Sequence, residues 1–468
     1  MPDNVKDFPY WTSTHAIPLT RRTTGWICIV FWLLVAIVAT GVTAWQVTIA
    51  IMQYFEYGVS TRTAYAFTQR VFPAVTACDA NPYKRLIAHE NAEIKKLMDT
   101  FLYGAEKVAC SSRSNCNFTV NSTLDSYMNN YSMNGIKDAV TLQTKVQRLL
   151  VLIANADQKH LEPAKAQMDD FLQGCSFNTQ DCYAGDWTPW RDPVMGNCFT
   201  FNMNANRSVN RAGPIYGLRA IFKTNASQYI ESSSNVGMIV LDEYPFPDTF
   251  GIYIEPNTAT QVGLDYRQIS RLGHPYGNCT NEKPGGYLYS NLSYSTEGCQ
   301  RSQYQQEIVS ICGCYDPAYP APANSSTSMC EVPKDVQCWS SVIYEINDDN
   351  NTCLEPCDEG SFEIARSSSP DRCQHLENVK KETTSIQVVW QCKYTENGAF
   401  VEVYFENLSF QSLNETAALT LPTLFSNIGG QIGLWLGMYI ISVVEIILLA
   451  GQIILSCLYP PISKPVAY

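Results

Sequence analysis

Sixteen cysteines lie between Cys78 and Cys392, while only Cys28 and Cys457 fall inside apolar runs. An even number of thiols in a polar stretch either closes disulfides in an oxidising compartment or holds zinc. The spacings Cys312-Gly-Cys314 and Cys353-x-x-x-Cys357 are poor for zinc, and no histidine stands near them in sequence. Disulfides are therefore expected. Eleven Asn-x-Ser/Thr sequons accompany them: Asn117, Asn121, Asn130, Asn206, Asn225, Asn278, Asn291, Asn324, Asn350, Asn407 and Asn414. One such match carries little weight. Eleven between two apolar runs, with none outside them, mark the intervening stretch as extracellular.

The third chemically pointed residue is Glu445, the sole formal charge from Thr416 to Ser463. A carboxylate within a membrane span costs about 2.5–3.5 kcal/mol on insertion scales, so such groups face protein or water. Gly429, Gly433 and Gly437 recur every four residues, placing close-approach positions on one helix face. Two readings fit: helices ringed around an aqueous path, or a tight transmembrane dimer with Glu445 snorkelling to the interface.

These residues need elements to hold them. The run over 420–459 exceeds the roughly 20 residues that span a bilayer. Thr23 to Phe55 carries no charge for 33 residues, too long for a signal-peptide core, and reads as a retained anchor. Arg21 and Arg22 before it predict a cytoplasmic N-terminus, and two spans return the C-terminus to that side. The expected division is a tail over 1–24, spans over 25–53 and 428–459, an extracellular domain over 54–427 and a tail over 460–468. Within the extracellular stretch, 84–175 has helical spacing, as in Ala92–Tyr103 and Val140–Asn155. Strand texture follows at Gly196–Asn202, Val236–Leu241 and Phe250–Ile254, then a helix over 295–312 begun by Ser295 or Thr296. Ser385–Gln391 and Ala399–Phe410 read as strands, the last running almost directly into the second span. The fold class is thus an α+β membrane protein, two helices flanking a disulfide-rich ectodomain. With 46% apolar and 12% aromatic residues the chain is a folded one. Its net charge of −12 leaves no basic cluster for nucleic acid.

Seven motifs, in order, carry a resemblance. They are Phe72-Pro-Ala-Val-Thr-x-Cys78, Gly196-Asn-Cys-Phe-Thr-Phe-Asn202, Tyr244-Pro-Phe-Pro-Asp248, and Gln268-Ile-Ser-Arg-Leu272 with Pro275-Tyr-Gly-Asn-Cys279. Cys312-x-Cys-Tyr-Asp-Pro317, Glu355-Pro-Cys-Asp-Glu359 and Ser426-Asn-Ile-Gly-Gly-Gln-Ile-Gly-Leu434 complete the set. With them the chain resembles the epithelial sodium channel/degenerin/acid-sensing channel superfamily from about His15 to Glu445. The resemblance implies a homo- or heterotrimer of related subunits in the plasma membrane, with a β palm, a helical finger (about 84–175) and a thumb (about 295–365). It implies a sodium-preferring, amiloride-sensitive cation pore lined by the second helices. The filter falls on Gly437-Met438-Tyr439, where the family's third residue is Ser. The lower-pore His-Gly motif appears as His15-Ala16. Gly433 takes the amiloride-contact position, with Glu445 below. Ser426 takes the gate position, where bulk holds relatives open. Tyr57 and Tyr276 match an aromatic–Trp pair that couples ectodomain to pore, with Tyr in place of Trp; ordinary interface tyrosines are the alternative.

The family register also implies disulfides Cys78–Cys198, Cys175–Cys182, Cys279–Cys357, Cys299–Cys353, Cys312–Cys338 and Cys314–Cys330. Cys110 with Cys116 and Cys373 with Cys392 then remain. One thumb bridge of the family is missing at both ends, where this chain has Gln303 and Asn351. Sodium ion, membrane lipid and an extracellular ligand of unassigned chemistry are the partners implied; no cofactor and no metal enter. Asp242, Glu243 and Asp248 are candidates for an acidic sensing pocket or plain loop charges. The scattered His89, His160, His274 and His375 give proton gating weak support. Two other classes compete. A membrane-anchored ectoenzyme would need a catalytic motif such as His-Glu-x-x-His or Gly-x-Ser-x-Gly, and the sequence has neither. An ATP-gated trimeric channel would need clustered Lys/Arg for phosphates, which are here dispersed.

Overall fold

The computed structural model describes residues 25–79, 83–111, 116–162, 165, 167–223, 236–240, 251–322, 326–345, 352–370 and 398–458. The chain forms two compact units. One comprises 1–62, 272–277 and 415–468, the other 63–271 and 278–414.

The first unit is built from apolar helices. Helix α1 (Trp26–Phe55) is 30 residues long and carries no charged side chain. At 1.5 Å per residue it is about 45 Å long, enough to cross a bilayer with tilt. Its large side chains, among them Trp26, Phe31 and Ile37, are exposed, as a helix meant for lipid or for other helices would have them. The second apolar run departs from the single helix expected over 428–459. It begins earlier and is two helices, Leu421–Leu436 and Ile440–Leu458, bent by 79° across the three residues between them. The break is local chemistry. Gly437 sits at φ +62°, a left-handed position that favours a residue without Cβ, and its N–H bonds the Gly433 carbonyl. Tyr439 N–H then donates to the Ser442 hydroxyl at 3.2 Å, which caps the second helix.

The second unit holds a large mixed sheet, a smaller sheet and a helical part. Strands β1 (Val59–Phe67), β2 (Val75–Cys78), β3 (Leu172–Phe177), β4 (Gln180–Cys182), β5 (Trp187–Asp192), β6 (Gly196–Phe201) and β7 (Leu218–Lys223) come first. Then follow β8 (Val236–Val240), β9 (Ile252–Ile254), β10 (Thr258–Ser270), β11 (Asp358–Pro370), β12 (Gly398–Phe405) and β13 (Ser409–Ala417). The large sheet runs β1-β13-β10-β12-β7-β3-β4, with β11 also on β10, and the smaller one runs β9-β8-β2-β6-β5. Alternation sets the core: β7 reads buried at Leu218, Ala220 and Phe222 and less so between. Phe72, Phe171, Phe201, Val262, Val403 and Phe405 meet in one apolar cluster. Gly217 is required where strands crowd, because a Cβ there would stand 2.1 Å from the Val403 carbonyl.

The strand expected over Ala399–Phe410 is two strands. The chain leaves the ladder after Phe405 and rejoins it at Ser409, burying Leu408 in between. The helical stretch expected over 84–175 ends sooner, because Leu172 already pairs with Phe222 in the large sheet. Likewise the 295–365 stretch gives way to β11 at Asp358. The strand texture at Ser385–Gln391, the sequons Asn225, Asn324 and Asn350, and Asp242, Glu243, Asp248 and His375 lie outside the described residues.

Helices α2 (Ala92–Ser111), α3 (Ser122–Asn130), α4 (Ala139–Ala156), α5 (Thr296–Cys312) and α6 (Val336–Glu345) share a second apolar cluster centred on Leu97, Leu149, Ile308 and Trp339. Ser295 caps α5, its hydroxyl accepting from Gly298 N–H, and Gly313 at φ +69° ends it. Polar groups inside this cluster are tied. Gln305 is fully buried and exchanges two 2.9 Å bonds with the Asp316 backbone, while Trp339 Nε1 donates to Asp316 Oδ2 at 2.8 Å. Burial raises the Asp316 carboxyl above the ordinary range. Lys145 of α4 reaches across to the Ser340 hydroxyl of α6, and burial pushes its ammonium down to about 8.

The disulfides among the described residues are Cys78–Cys198, Cys110–Cys116, Cys175–Cys182, Cys279–Cys357, Cys299–Cys353, Cys312–Cys338 and Cys314–Cys330. Cys373 and Cys392 lie outside those residues, as does Asn351. Gln303 donates its amide to Thr352, next to Asn351. The eight described sequon asparagines, Asn117, Asn121, Asn130, Asn206, Asn278, Asn291, Asn407 and Asn414, are all exposed.

Candidate functional site

The residues singled out in the second apolar run gather around the break between its two helices, α7 (Leu421–Leu436) and α8 (Ile440–Leu458). Thr420 starts α7, its hydroxyl accepting from Thr423 N–H, with Pro422 in the first turn. Gly429 and Gly430 have open space where a Cβ would stand, and at Gly433 the nearest atom is the Met438 carbonyl oxygen, at 3.8 Å. Their face of the helix is therefore bare backbone, open to close approach by another chain element. Ser426 is exposed on α7. Gly437 is buried at the break, Met438 is half-buried and Tyr439 is 61% exposed. Ending one helix and starting another leaves backbone carbonyls of α7 without intrahelical partners, as helix ends do. Such carbonyls can replace part of an ion's hydration shell. Glu445, half-buried on α8, lies less than two turns beyond the break. A carbonyl-bearing break followed by a carboxylate is chemistry suited to cations.

Trp435 Nε1 donates to Gln46 Oε1 at 2.8 Å, tying α7 to α1 just before the break. Neither residue stands out by motif; a Gln inside an apolar run was the available signal, since an amide among apolar side chains needs a partner. Ser442 likewise does not stand out by motif.

Tyr57 and Tyr276 do meet. Their ring centroids are 5.4 Å apart at an interplanar angle of 86°, an edge-to-face pair. Tyr57 sits at φ +49° directly after α1, which turns its ring out of the helical path. The neighbouring chain is held by Ala418 N–H on the Gly58 carbonyl at 2.8 Å and Leu272 N–H on Glu415 Oε2 at 2.9 Å. The residue following α1, the turn at 272–277 and the segment leading to α7 are thereby joined. His15 and Ala16 lie outside the described residues.

Against known proteins, residues 8–449 match the family model described as amiloride-sensitive sodium channel. Degenerin unc-8 of Caenorhabditis elegans is 35% identical over 340 residues, covering 67% of this chain and 43% of the relative. Degenerin mec-4 of Caenorhabditis briggsae is 33% identical over 329 residues, covering 67% of this chain and 43% of the relative. Degenerin-like protein asic-1 of Caenorhabditis elegans is 29% identical over 340 residues, with 70% and 41% covered. The chain thus spans less than half the length of these relatives. A solved proton-activated chloride channel aligns over 91% of this chain and 97% of its own at a TM-score of 0.28 and 7% identity, too remote to carry an argument. The family model takes in the first apolar run, everything after it and the second run as far as residue 449, and on that match the chain belongs to the amiloride-sensitive sodium channel family.

Proposed function

We propose that this chain is a pore-forming subunit of a trimeric, sodium-preferring, amiloride-blocked cation channel of the plasma membrane, gated through its extracellular part. The observation that carries the reading is the helix break at Gly437-Met438-Tyr439, with Glu445 beyond it, inside the family match. Three copies of such a break around an axis would present carbonyls to a passing ion, and three Glu445 carboxylates would favour cations. Gly433 is proposed to touch amiloride and Ser426 to stand where the helices converge. His15 and Ala16 are proposed to form the lower pore. Both apolar segments are proposed as spans, with short cytoplasmic tails. The large sheet corresponds to the palm, α2 to α4 to the finger, and α5 and α6 to the thumb.

Gating needs a path from an extracellular ligand to the pore, and the Tyr57–Tyr276 pair is proposed as the joint. Expression in oocytes tests the reading. Inward current under sodium, reduced by amiloride and by replacing sodium with a large organic cation, is expected. Current evoked by ATP, or none from a chain proven to reach the surface alone or with related subunits, would sink it.

A further inference from the structure

Strand β10 offers one edge to β11 along its whole length, from Thr258↔Pro370 to Ser270↔Asp358. Its other edge is taken by β12 as far as Leu264↔Phe405 and by β13 from Arg267↔Gln411 onward. Asp265 and Tyr266 therefore face five residues of the neighbouring chain, Glu406 to Phe410, a bulge in the ladder. The bulge is pinned by buried Leu408 and by Glu406 N–H on the Leu264 carbonyl at 3.1 Å. Of its other three residues, Ser409 and Phe410 are half-buried and Asn407 is exposed. Bulges re-aim side chains in this way and concentrate near functional sites.

Beside the bulge lies a cavity of about 160 Å³. Asn407 and Ser409 line it from the bulge side, Asp265 and Arg267 from β10, Gln411 from β13 and Tyr65 from β1. Arg267 is paired through Nη2 with Glu363, another wall residue, which offsets its charge and leaves its buried Nε–H as a further donor. Among the described residues the Asp265 carboxylate, the Gln411 amide and the Ser409 and Tyr65 hydroxyls have no side-chain hydrogen-bond partner. The wall thus offers neutral donors, acceptors and one carboxylate, with a Tyr65 ring that is 76% exposed. A cavity near 150 Å³ holds a bare six-membered ring such as benzene, so a substituted pyranose would seat its ring here and leave its larger substituents in solvent. A sugar ring fits that chemistry, its hydroxyls against Asp265 and Gln411 and its apolar face against Tyr65.

Asn407-Leu408-Ser409 is itself a sequon, and both its acceptor asparagine and its serine line the cavity. We infer that the cavity is a seat for the first N-acetylhexosamine of a glycan carried on Asn407, a ligand the chain brings for itself. Seated there, the sugar braces β1, β10 and β13 around the bulge. The inference rests on the extracellular placement proposed above.

The test uses the full chain expressed in mammalian or insect cells and purified in detergent. The native protein is treated with peptide-N-glycosidase, which must reach the Asn–sugar bond, and release is followed by glycopeptide mass spectrometry. Asn206, exposed and not among the residues lining this cavity, is the internal reference. Release at Asn407 is expected to be about tenfold slower than at Asn206, the ratio given by a seat worth about 1.4 kcal/mol. Tyr65→Ala and, separately, Gln411→Ala should bring the two rates together. Equal rates in the unmodified chain overturn the inference, as does protection that neither variant relieves. A glycan on Asn206 with none on Asn407 overturns it as well. No glycan at either position overturns the extracellular placement itself.

Discussion

At the scale of single residues, Gly437 decides the course of the second apolar run. Its φ of +62° costs a residue with a Cβ roughly 1–2 kcal/mol, and a β-branched side chain adds crowding. Gly437→Val should draw the chain toward a continuous helix and remove the carbonyls exposed by the break. Sodium current, measured by whole-cell recording with surface labelling as control, is expected to fall at least about tenfold, as a change of roughly 1.4 kcal/mol in the population of the broken form requires. Unchanged current at normal surface density would show that the break is not in the conduction path. Tyr439 bears on the same point. A ring as large as tyrosine's is a poor substitute for serine facing an ion, and its 61% exposure leaves room for it to turn away.

At the scale of elements, the contact of α4 with α6 is unusual in burying an ammonium. Lys145 donates to Ser340 and its nitrogen lies 5.2 Å from the centre of the Trp339 ring, yet burial still holds it at about 8 against an ordinary 10.5. The unfolded chain keeps this proton over a range in which the folded chain has lost it, so stability rises with pH between about 8 and 10.5. The gain reaches about 1–3 kcal/mol, since each unit of pKa is worth about 1.4 kcal/mol and partial exposure reduces it. Lys145→Met keeps the volume and removes the proton. Thermal unfolding in detergent at pH 7.5 and pH 10 should show the unmodified chain gaining on the Met variant at the higher pH. A constant difference between the two would mean that Lys145 is hydrated.

At the scale of the whole molecule, the apolar helices present more surface than one chain can cover. On α1 alone Trp26, Ile27, Phe31, Ile37 and Val38 are each more than half exposed, and on α8 Ile440, Ile441 and Ile447 are too. In the membrane placement proposed above, lipid would satisfy part of this surface, while the bare glycine face of α7 suits close packing of helix on helix. On the trimer proposed above, cross-linking of the purified protein in mild detergent should end at a species of three subunits. A ladder that stops at two would favour the tight transmembrane dimer and remove the basis for a three-fold pore.

Much was decided along the chain itself. The cysteine positions, the sequons and the two charge-poor runs are patterns of type and spacing, and each reports local chemistry that needs no neighbour: disulfide formation, loop exposure, apolar helix surface. Ser295 as a cap and Gly313 as a stop are legible for the same reason, because helix ends are satisfied within a few residues. What the sequence did not disclose depends on partners distant along the chain. The apolar run over 420–459 reads as one helix because its hydropathy is continuous; the break follows from a glycine conformation and the Ser442 hydroxyl, which hydropathy does not register. The Trp435–Gln46 bond joins residues 389 apart, and Tyr57 meets Tyr276 across more than two hundred. Ala399–Phe410 reads as one strand, and only its pairing with β10, whose residues lie some 140 positions earlier, reveals that Glu406 to Phe410 leave the ladder. Spacing reports what a residue does to its own segment, whereas bulges, long-range polar pairs and the cavity beside Asn407 exist only once separate strands and helices are brought together.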